Sequence, residues 1–439
     1  SSSTLGGFVT STTIRGLPLN GRDWLQLALL QPGAVLTASQ NSADGSRPQR
    51  GNGLAISISG GRPTDNAFRI DGLIVNDYAN GGPGSTLRVN MGVDAIREFS
   101  VLTNNYSSEY GRGSGGIVNA ITKSGTNGLH GSAYYFHRNS ALDTRNFFDK
   151  AIPPFRRHQY GGAVGGPIKK DKTFFFTNYE GLTEVRSLSF SSDTIAANPR
   201  NGIFCGNAAC TTSTPITVAP SVKPYLALYP LPNGPVAGNT GKFLLAAPRL
   251  GDEKYVIGKI DHYFSSTTTL SGSYSFDDAA VTIPDAYDLK TLSAPARRQN
   301  VVLALQHLFS PTLINNTRVG VSRTFAGGSL DCCAKNAALE NPALGFITGR
   351  NLGSFVINGI AVGQGAQSIA GIGATSFSIW GYTAPQIYND LSWTKGRHNI
   401  RTGLSVERVD YNLNSPATPN GTWTFTSVQS FLLATPSQF

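Results

Sequence analysis

Charged residues are scarce, at 14% of 439 residues, and the net charge of +10 is never gathered into a run of five or six cations. Scattered Lys and Arg of this kind argue against a nucleic-acid-binding face. No window approaches 18 uncharged apolar residues, which excludes a transmembrane helix but not a membrane barrel, whose strands are short and only alternately apolar. The patterns GxxxxGK[ST], HExxH and GxSxG are missing, so no phosphate loop, zinc-protease helix or nucleophile elbow is expected. The four cysteines fall as Cys205 and Cys210 in "CGNAAC" and as the adjacent pair Cys332 and Cys333. Neither pair has CxxC spacing or a nearby His, so no metal site is expected. Cys205 and Cys210 either form a local disulfide in an oxidising compartment or remain free buried thiols. The N-terminus "SSSTLGGFVT" has neither a basic n-region nor an apolar h-region, so any signal peptide is expected outside this sequence.

Turns and half-buried strands are what the composition favours. Gly (50) and Pro (24) make up about a sixth of the chain, and Tyr (16) and Phe (23) are frequent. That balance suits many strands with many connections. Residues 1–127 read as a small α+β unit. "LPLNGRDWLQLALLQPG" predicts a short helix capped by Asn20 and ended at Pro32-Gly33. "LAISISGGRP" predicts a strand ending at a Gly-Gly turn, and "NAFRIDGLIVN" predicts two apolar runs around the tight turn Asp71-Gly72. "VDAIREFSVLT" offers a helical turn over 93–97 followed by a strand.

From Gly128 onward the rhythm changes. Strands are expected near 129–138, 157–167, 172–186, 254–264, 268–278, 299–309, 312–325, 385–394 and 398–412, with a tenth beginning at "TWTFT". Several keep strict period two: Leu270, Tyr274 and Phe276 alternate with serines, and Ile400, Leu404 and Val406 alternate with Arg401, Ser405 and Glu407. Connections alternate between turns of a few residues ("IKKD", "SST", "SP", "KGR") and links of about ten to about sixty. An outer-membrane barrel shows that asymmetry between its two rims. In lipid the sheet must close on itself, so closing strands beyond residue 439 are expected. Aromatics in "AYYFHR", "TFFFTNYEG" and "LSWT" stand where interfacial girdles belong. The six histidines, His130, His137, His158, His262, His307 and His398, lie on or beside strands without ligand spacing, as lumen or girdle residues do.

The stretch "IREFSVLTNNYSSEYGRGSGGIVNAITKSGTNGLHGSAYYF" resembles the end of the plug domain of TonB-dependent outer-membrane receptors, where a strand, a glycine-rich "YG...GGxxNxxTK"-like segment and the first barrel strand follow in order. "LPLNGRDWLQLALLQPGAV", "NAFRIDGLIVN" and "HQYGGAVGGPIKKDKTFFFTNYEGL" narrow this to the Oar-like subgroup, which carries a carboxypeptidase-regulatory-like domain before the plug. Glycines 111, 113, 115 and 116 are expected to take positive φ and to let backbones approach closely, with Arg112 supplying a polar contact among them.

The resemblance implies a small α+β plug domain, residues 1–127, followed by an antiparallel transmembrane β-barrel, residues 128–439, incomplete at about 9–10 of roughly 22 strands. It places the protein in the cell outer membrane, against lipid. Its partners would be a bulky ligand and the TonB-ExbB-ExbD complex, whose contact segment is absent from this sequence, and no cofactor or enzyme activity is implied. Tyr78, Asn80, Ser85, Thr86 and Arg88 would form a plug apex facing the ligand. Arg62, Arg69, Arg97 and Arg112 would pair with wall acids such as Glu180, Asp261, Asp390 or Glu407. Three functions stand: ligand uptake (or export of a large product) gated by the plug, a passive porin, and a soluble surface adhesin or glycan-binding β-protein.

Overall fold

The computed structural model describes residues 5–10, 14, 19–37, 53–87, 89–145, 152–328, 330–362, 372–373, 378–416 and 418–439. Among them the smaller of two main sheets has five strands: β1 (Leu5–Thr10), β2 (Ala67–Ile70), β3 (Leu73–Ile74), β4 (Ile96–Asn104) and β5 (Ile117–Thr122). They lie in the order β1-β4-β5-β2-β3, with only β2 and β5 parallel. Asp71 and Gly72, at φ 50° and 83°, take the two positive-φ positions of the turn between β2 and β3, the geometry that favours Asp-Gly in a two-residue hairpin. One face of this sheet closes over Trp24, Leu25, Leu27, Ile56, Ile58, Phe68, Phe99 and Val118, each worth about 1.5–3 kcal/mol when fully buried. Trp24 meets Phe99 edge-on at 5.6 Å.

Two expectations for this region need correction. The helix expected after residue 17 is a pair of 3₁₀ segments, Asn20–Arg22 and Trp24–Leu30, because Gly21 takes a left-handed conformation (φ 69°) between the residues that would have continued it. Its cap is therefore Asp23, whose carboxylate accepts the Leu25 N–H at 2.9 Å, and not Asn20. In the glycine-rich stretch the positive φ belongs to Arg112 (82°), not to its glycines. The glycines serve close approach instead: a Cβ on Gly113 would stand 2.0 Å from the Asp65 carbonyl oxygen, and one on Gly116 2.5 Å from the Ile58 side chain.

The larger sheet is a wall of nine long strands: β6 (His130–Asn139), β7 (Phe155–Lys169), β8 (Thr173–Ile195), β9 (Thr240–Tyr263), β10 (Thr268–Pro284), β11 (Lys290–Ser310), β12 (Leu313–Gly328), β13 (Ser378–Lys395) and β14 (His398–Glu407). Each pairs antiparallel with its neighbours in chain order, so all nine expected strands are present in up-and-down succession. β6 and β14 stand at its two ends and do not pair with each other. Three short strands, Val236–Ala237, Leu330–Ala334 and Asp410–Asn414, extend the ladder beside β9, β11 and β13. "TWTFT" contributes no tenth wall strand: Thr422–Phe425 pairs in parallel with Ser354–Ile357 in a separate two-stranded sheet.

Parity sorts the wall into two faces. Val301, Leu303, Leu305, Val319, Ile400, Leu404 and Val406 are exposed on one side. The other carries Glu180, Glu184, Arg249, Glu253, Lys259, Asp261, Asp277 and Arg298, all buried. β8 and β9 run for 23 and 24 residues, more than twice the ~9–11 a bilayer requires. In the upper reaches of β8 and β10 the apolar side switches inward: Leu188 and Phe190 of β8 pack with Val281 and Ile283 of β10, while serines 187, 189 and 191 alternate with the β8 pair.

Beyond the wall, at the end opposite the short turns, the long links fold into a cap with one core. Leu226, Tyr229, Leu339, Phe355, Ile357, Phe425 and Phe431 come from four separated stretches and share that core. Cys205 and Cys210 are joined as a disulfide within the first of these links, and Cys333 is exposed with a free thiol.

Candidate functional site

The polar face of the wall and the small sheet meet in a long seam. At its centre, the Thr122 backbone N–H and hydroxyl donate to the Asp71 carboxylate at 2.9 and 2.6 Å. Lys259 of β9 reaches across to the Thr122 hydroxyl at 3.1 Å and stands 3.7 Å from Asp71, and Ser273 of β10 donates to Asp71 at 3.3 Å. Thr122 ends β5 just before the connection into the wall, so this cluster ties the small sheet down at its exit. That connection is held in turn by Asn127, which donates to the Asp171 carboxylate at 2.5 Å and accepts the Asp171 N–H at 2.9 Å.

Other contacts repeat the pattern on neighbouring wall strands. Ser85 donates to Glu253 at 2.6 Å, and Arg298, paired with Asp277, also donates to the Asn90 side-chain carbonyl at 3.1 Å. Arg22 pairs with Asp94 at 2.8 Å while its guanidinium lies 4.0 Å over the Tyr134 ring of β6. Gln159 of β7 donates to the Gly21 carbonyl at 3.1 Å. A cavity of about 310 Å³ remains in the seam, lined by Arg69, Asp71, Tyr110, Lys259, Arg318 and Asp390. Many of these contacts are buried, where leaving one partner unpaired costs about 1–3 kcal/mol, so together they hold the small sheet in register.

Of the four arginines singled out from sequence, one meets a wall acid named with it. Arg112 bonds the Glu407 carboxylate at 2.5 Å and donates to the Tyr382 hydroxyl at 3.1 Å. Arg69 is buried between the rings of Tyr110 and Tyr388, at 5.0 and 5.6 Å, and donates to the Glu109 carbonyl. Arg97 is exposed and stands 3.7 Å from Glu98 on its own strand. Arg62 is exposed, and its backbone N–H donates to Asp65. Among the acids, Asp390 pairs with Arg318 at 2.9 Å and Asp261 accepts from Ser271 at 2.5 Å, both wall partners. Glu180 is fully buried close to Arg22 and Tyr134.

The expected ligand-facing apex is not presented to solvent. Tyr78 is buried and stacked on Trp380 at 5.0 Å, Ser85 and Thr86 are buried, and Asn80 donates to the Thr64 carbonyl at 2.6 Å. Arg88 lies outside the described residues. These residues sit against the wall because the apex is anchored there: Leu87 packs with the Leu188, Phe190, Val281 and Ile283 cluster.

Sequence reasoning passed over Asp71, Lys259, Arg22, Asp94, Glu253 and Arg298. The signal for the wall members was available, since each falls on the inward parity of its strand. Asp23 went unnoticed as well. It is buried at the foot of the Trp24–Leu30 segment, and burial pushes its carboxyl up from 3.8 to about 7, although the Leu25 N–H and the Arg298 guanidinium pull the other way.

Comparison with known proteins fits this geometry. Residues 121–439 match the model of the family described as an outer membrane beta barrel domain. A TonB-dependent transporter, Oar, of Myxococcus xanthus is 28% identical over 182 residues, covering 39% of this chain and 17% of that relative. A probable TonB-dependent siderophore receptor, PirA, of Acinetobacter baumannii is 32% identical over 171 residues, covering 37% of this chain and 21% of the relative. The fold is that of the outer membrane transporter YddB from Escherichia coli, with a TM-score of 0.53 at 13% identity, over 93% of this chain and 54% of that one. The chain thus spans a minor part of the curated relatives it matches. With more than half of its residues inside the match, the chain belongs to the outer membrane beta barrel domain family.

Proposed function

We propose that residues 1–127 form the plug of a TonB-dependent receptor, that residues 128–439 form the first part of its barrel, and that the whole protein takes up a bulky ligand from outside the cell. The observation that carries this reading is the seam. A separate domain with its own core lies along the polar face of the wall, held by a cation–π contact from β6 and by hydrogen bonds and an ion pair from β7, β9, β10, β11, β13 and β14. A barrel of about 22 strands encloses a lumen that side chains cannot fill, so such a domain acts as its stopper. A seam of separate polar contacts, rather than one continuous apolar core, suits a stopper that is pulled or remodelled by TonB, with ExbB and ExbD relaying the proton gradient. The buried apex then meets ligand only after Tyr78 and Leu87 leave the wall. Relatives named as siderophore receptors make a ferric chelate one candidate ligand.

The passive-porin reading differs in a measurable way. In planar bilayers the full-length protein should be nearly non-conducting, and deletion of residues 1–122 should open a large steady pore. Wild-type conductance equal to that of the deletion would favour the porin instead.

A further inference from the structure

The lipid-facing side of the wall carries cations at one level. Along β11 the outward residues run Phe309, His307, Leu305, Leu303 and Val301, apolar except for His307 against the Phe309 ring, followed by Gln299 and Arg297. Along β12, Val319 and Val321 are followed by Arg323 and Phe325. From Phe309 to Val301 the strand climbs eight residues, roughly 20 Å at ~3.3 Å per residue and ~40° of tilt, close to the height of an apolar barrel band. On the same arithmetic Arg323 stands about 5 Å above Val321 and Arg297 about 10 Å above Val301. The short turns, such as that between β11 and β12, mark the opposite, periplasmic rim. Both arginines therefore stand at the headgroup level of the outer leaflet.

Local geometry makes a receptacle there. Asp278, Pro295, Arg297, Gln299, Arg323 and Phe325 line a cavity of about 340 Å³ on this outer side. Arg297 is directly opposite Phe325, and Arg323 directly opposite Gln299, so the arginines are diagonal neighbours on one face, about 7–8 Å apart at their bases. That spacing lets two guanidinium groups converge on one phosphate. Arg297 donates to Asp278 at 2.7 Å and lies 5.5 Å from the Phe276 ring. Arg323 is exposed and has no hydrogen-bond or ion-pair partner among the described residues. Lys254, opposite Asp278 on β9, adds a flanking cation.

We propose that Arg297 and Arg323 bind the phosphate of an outer-leaflet lipid headgroup, whose acyl chains lie along Val301, Leu303, Val319 and Val321 below. A lipid fits better than a free anion because Arg297, Gln299, Arg323 and Phe325 of the lining lie on the outward face, directly above the apolar Val301 and Val321. The proposal stands on the outer-membrane placement and not on the transport reading.

The test uses full-length protein extracted from outer membranes in detergent, with retained lipopolysaccharide counted by mass spectrometry. Arg323→Gln should lower retention about fivefold, and the double variant Arg297→Gln/Arg323→Gln should lower it further, as the loss of one surface cation each predicts. Asp278→Asn removes a competing carboxylate from an exposed position and should raise retention, which keeps the proposal testable if the double variant fails to fold. Lipopolysaccharide stripped of phosphate should be retained equally poorly by every protein. Undiminished retention by the folded double variant, no rise with Asp278→Asn, or retention of the stripped lipid by the wild type as strong as that of the intact lipid would overturn the proposal. So would displacement of lipid by millimolar inorganic phosphate, which would assign the arginines to a free anion.

Discussion

The Gln386 carboxamide accepts the Ile74 N–H at 3.0 Å and donates to the Ile74 carbonyl at 2.9 Å. A wall side chain thus stands where another strand would pair with the edge of the small sheet, and both Ile74 backbone groups are satisfied in a buried place. Replacing Gln386 by Leu leaves them unpaired, at a cost of about 1–3 kcal/mol. Hydrogen exchange of the Ile74 amide should accelerate in Gln386→Leu while the wall amides stay protected. An unchanged Ile74 rate would mean that the contact holds nothing.

The glycines of the YGRGSGG stretch divide by their surroundings. A Cβ on Gly113 would meet the Asp65 carbonyl oxygen at 2.0 Å, whereas one on Gly111 would meet nothing within 4 Å. Gly113→Ala should destabilise the small domain by about 1–3 kcal/mol or more, and Gly111→Ala should stay within about 0.5 kcal/mol of wild type. Denaturant midpoints of the two variants check this directly.

Arg112 holds Glu407 from a left-handed backbone position (φ 82°). Arg112→Ala loses the ion pair and keeps the strain, while Arg112→Gly loses the pair and relieves about 1–2 kcal/mol of strain. The glycine variant should therefore be the more stable of the two, and resistance of the plug to limited proteolysis ranks them. The reverse order would show that the left-handed backbone at residue 112 carries no strain for glycine to relieve.

Asp23 gives the small domain a pH dependence of defined sign. Its carboxyl is raised to about 7 in the folded chain from the ordinary 3.8, so between roughly pH 4 and pH 7 the folded state holds a proton that the unfolded chain has released. Stability contributed by this group is complete below about pH 4 and falls as pH rises through that window, by up to about 4 kcal/mol. Asp23→Asn should flatten the denaturation midpoint across pH 4–7.5 relative to wild type. A wild-type curve that rises with pH by an amount the variant removes would reverse the assignment.

Much of the fold was legible because lipid and the period of a strand impose one rule on each wall segment. "LSGSYSF" and "NIRTGLSVE" alternate cleanly, and β10 and β14 run through them. The rule lapses above the bilayer, which is why β9 begins at Thr240 and not near residue 254: there Leu188 and Phe190 turn inward beneath the cap and the outward positions become serines. The Trp24–Leu30 segment defeated the helix reading because one residue, Gly21, takes a conformation that spacing does not reveal. The seam was half legible. Arg112 and Glu407 could be named, but their proximity depends on strand register across 295 positions of sequence, and nothing local announces that Asp71 would meet Lys259.

The cap has a bearing on how such a protein changes over generations. Because Leu226, Leu339, Phe355 and Phe431 share one core, a substitution in any one link alters the support of the others. Drift in what the outer surface recognises is then expected to proceed through compensating pairs far apart in the gene, and grafting a single link between homologues should fail where exchange of the whole cap succeeds.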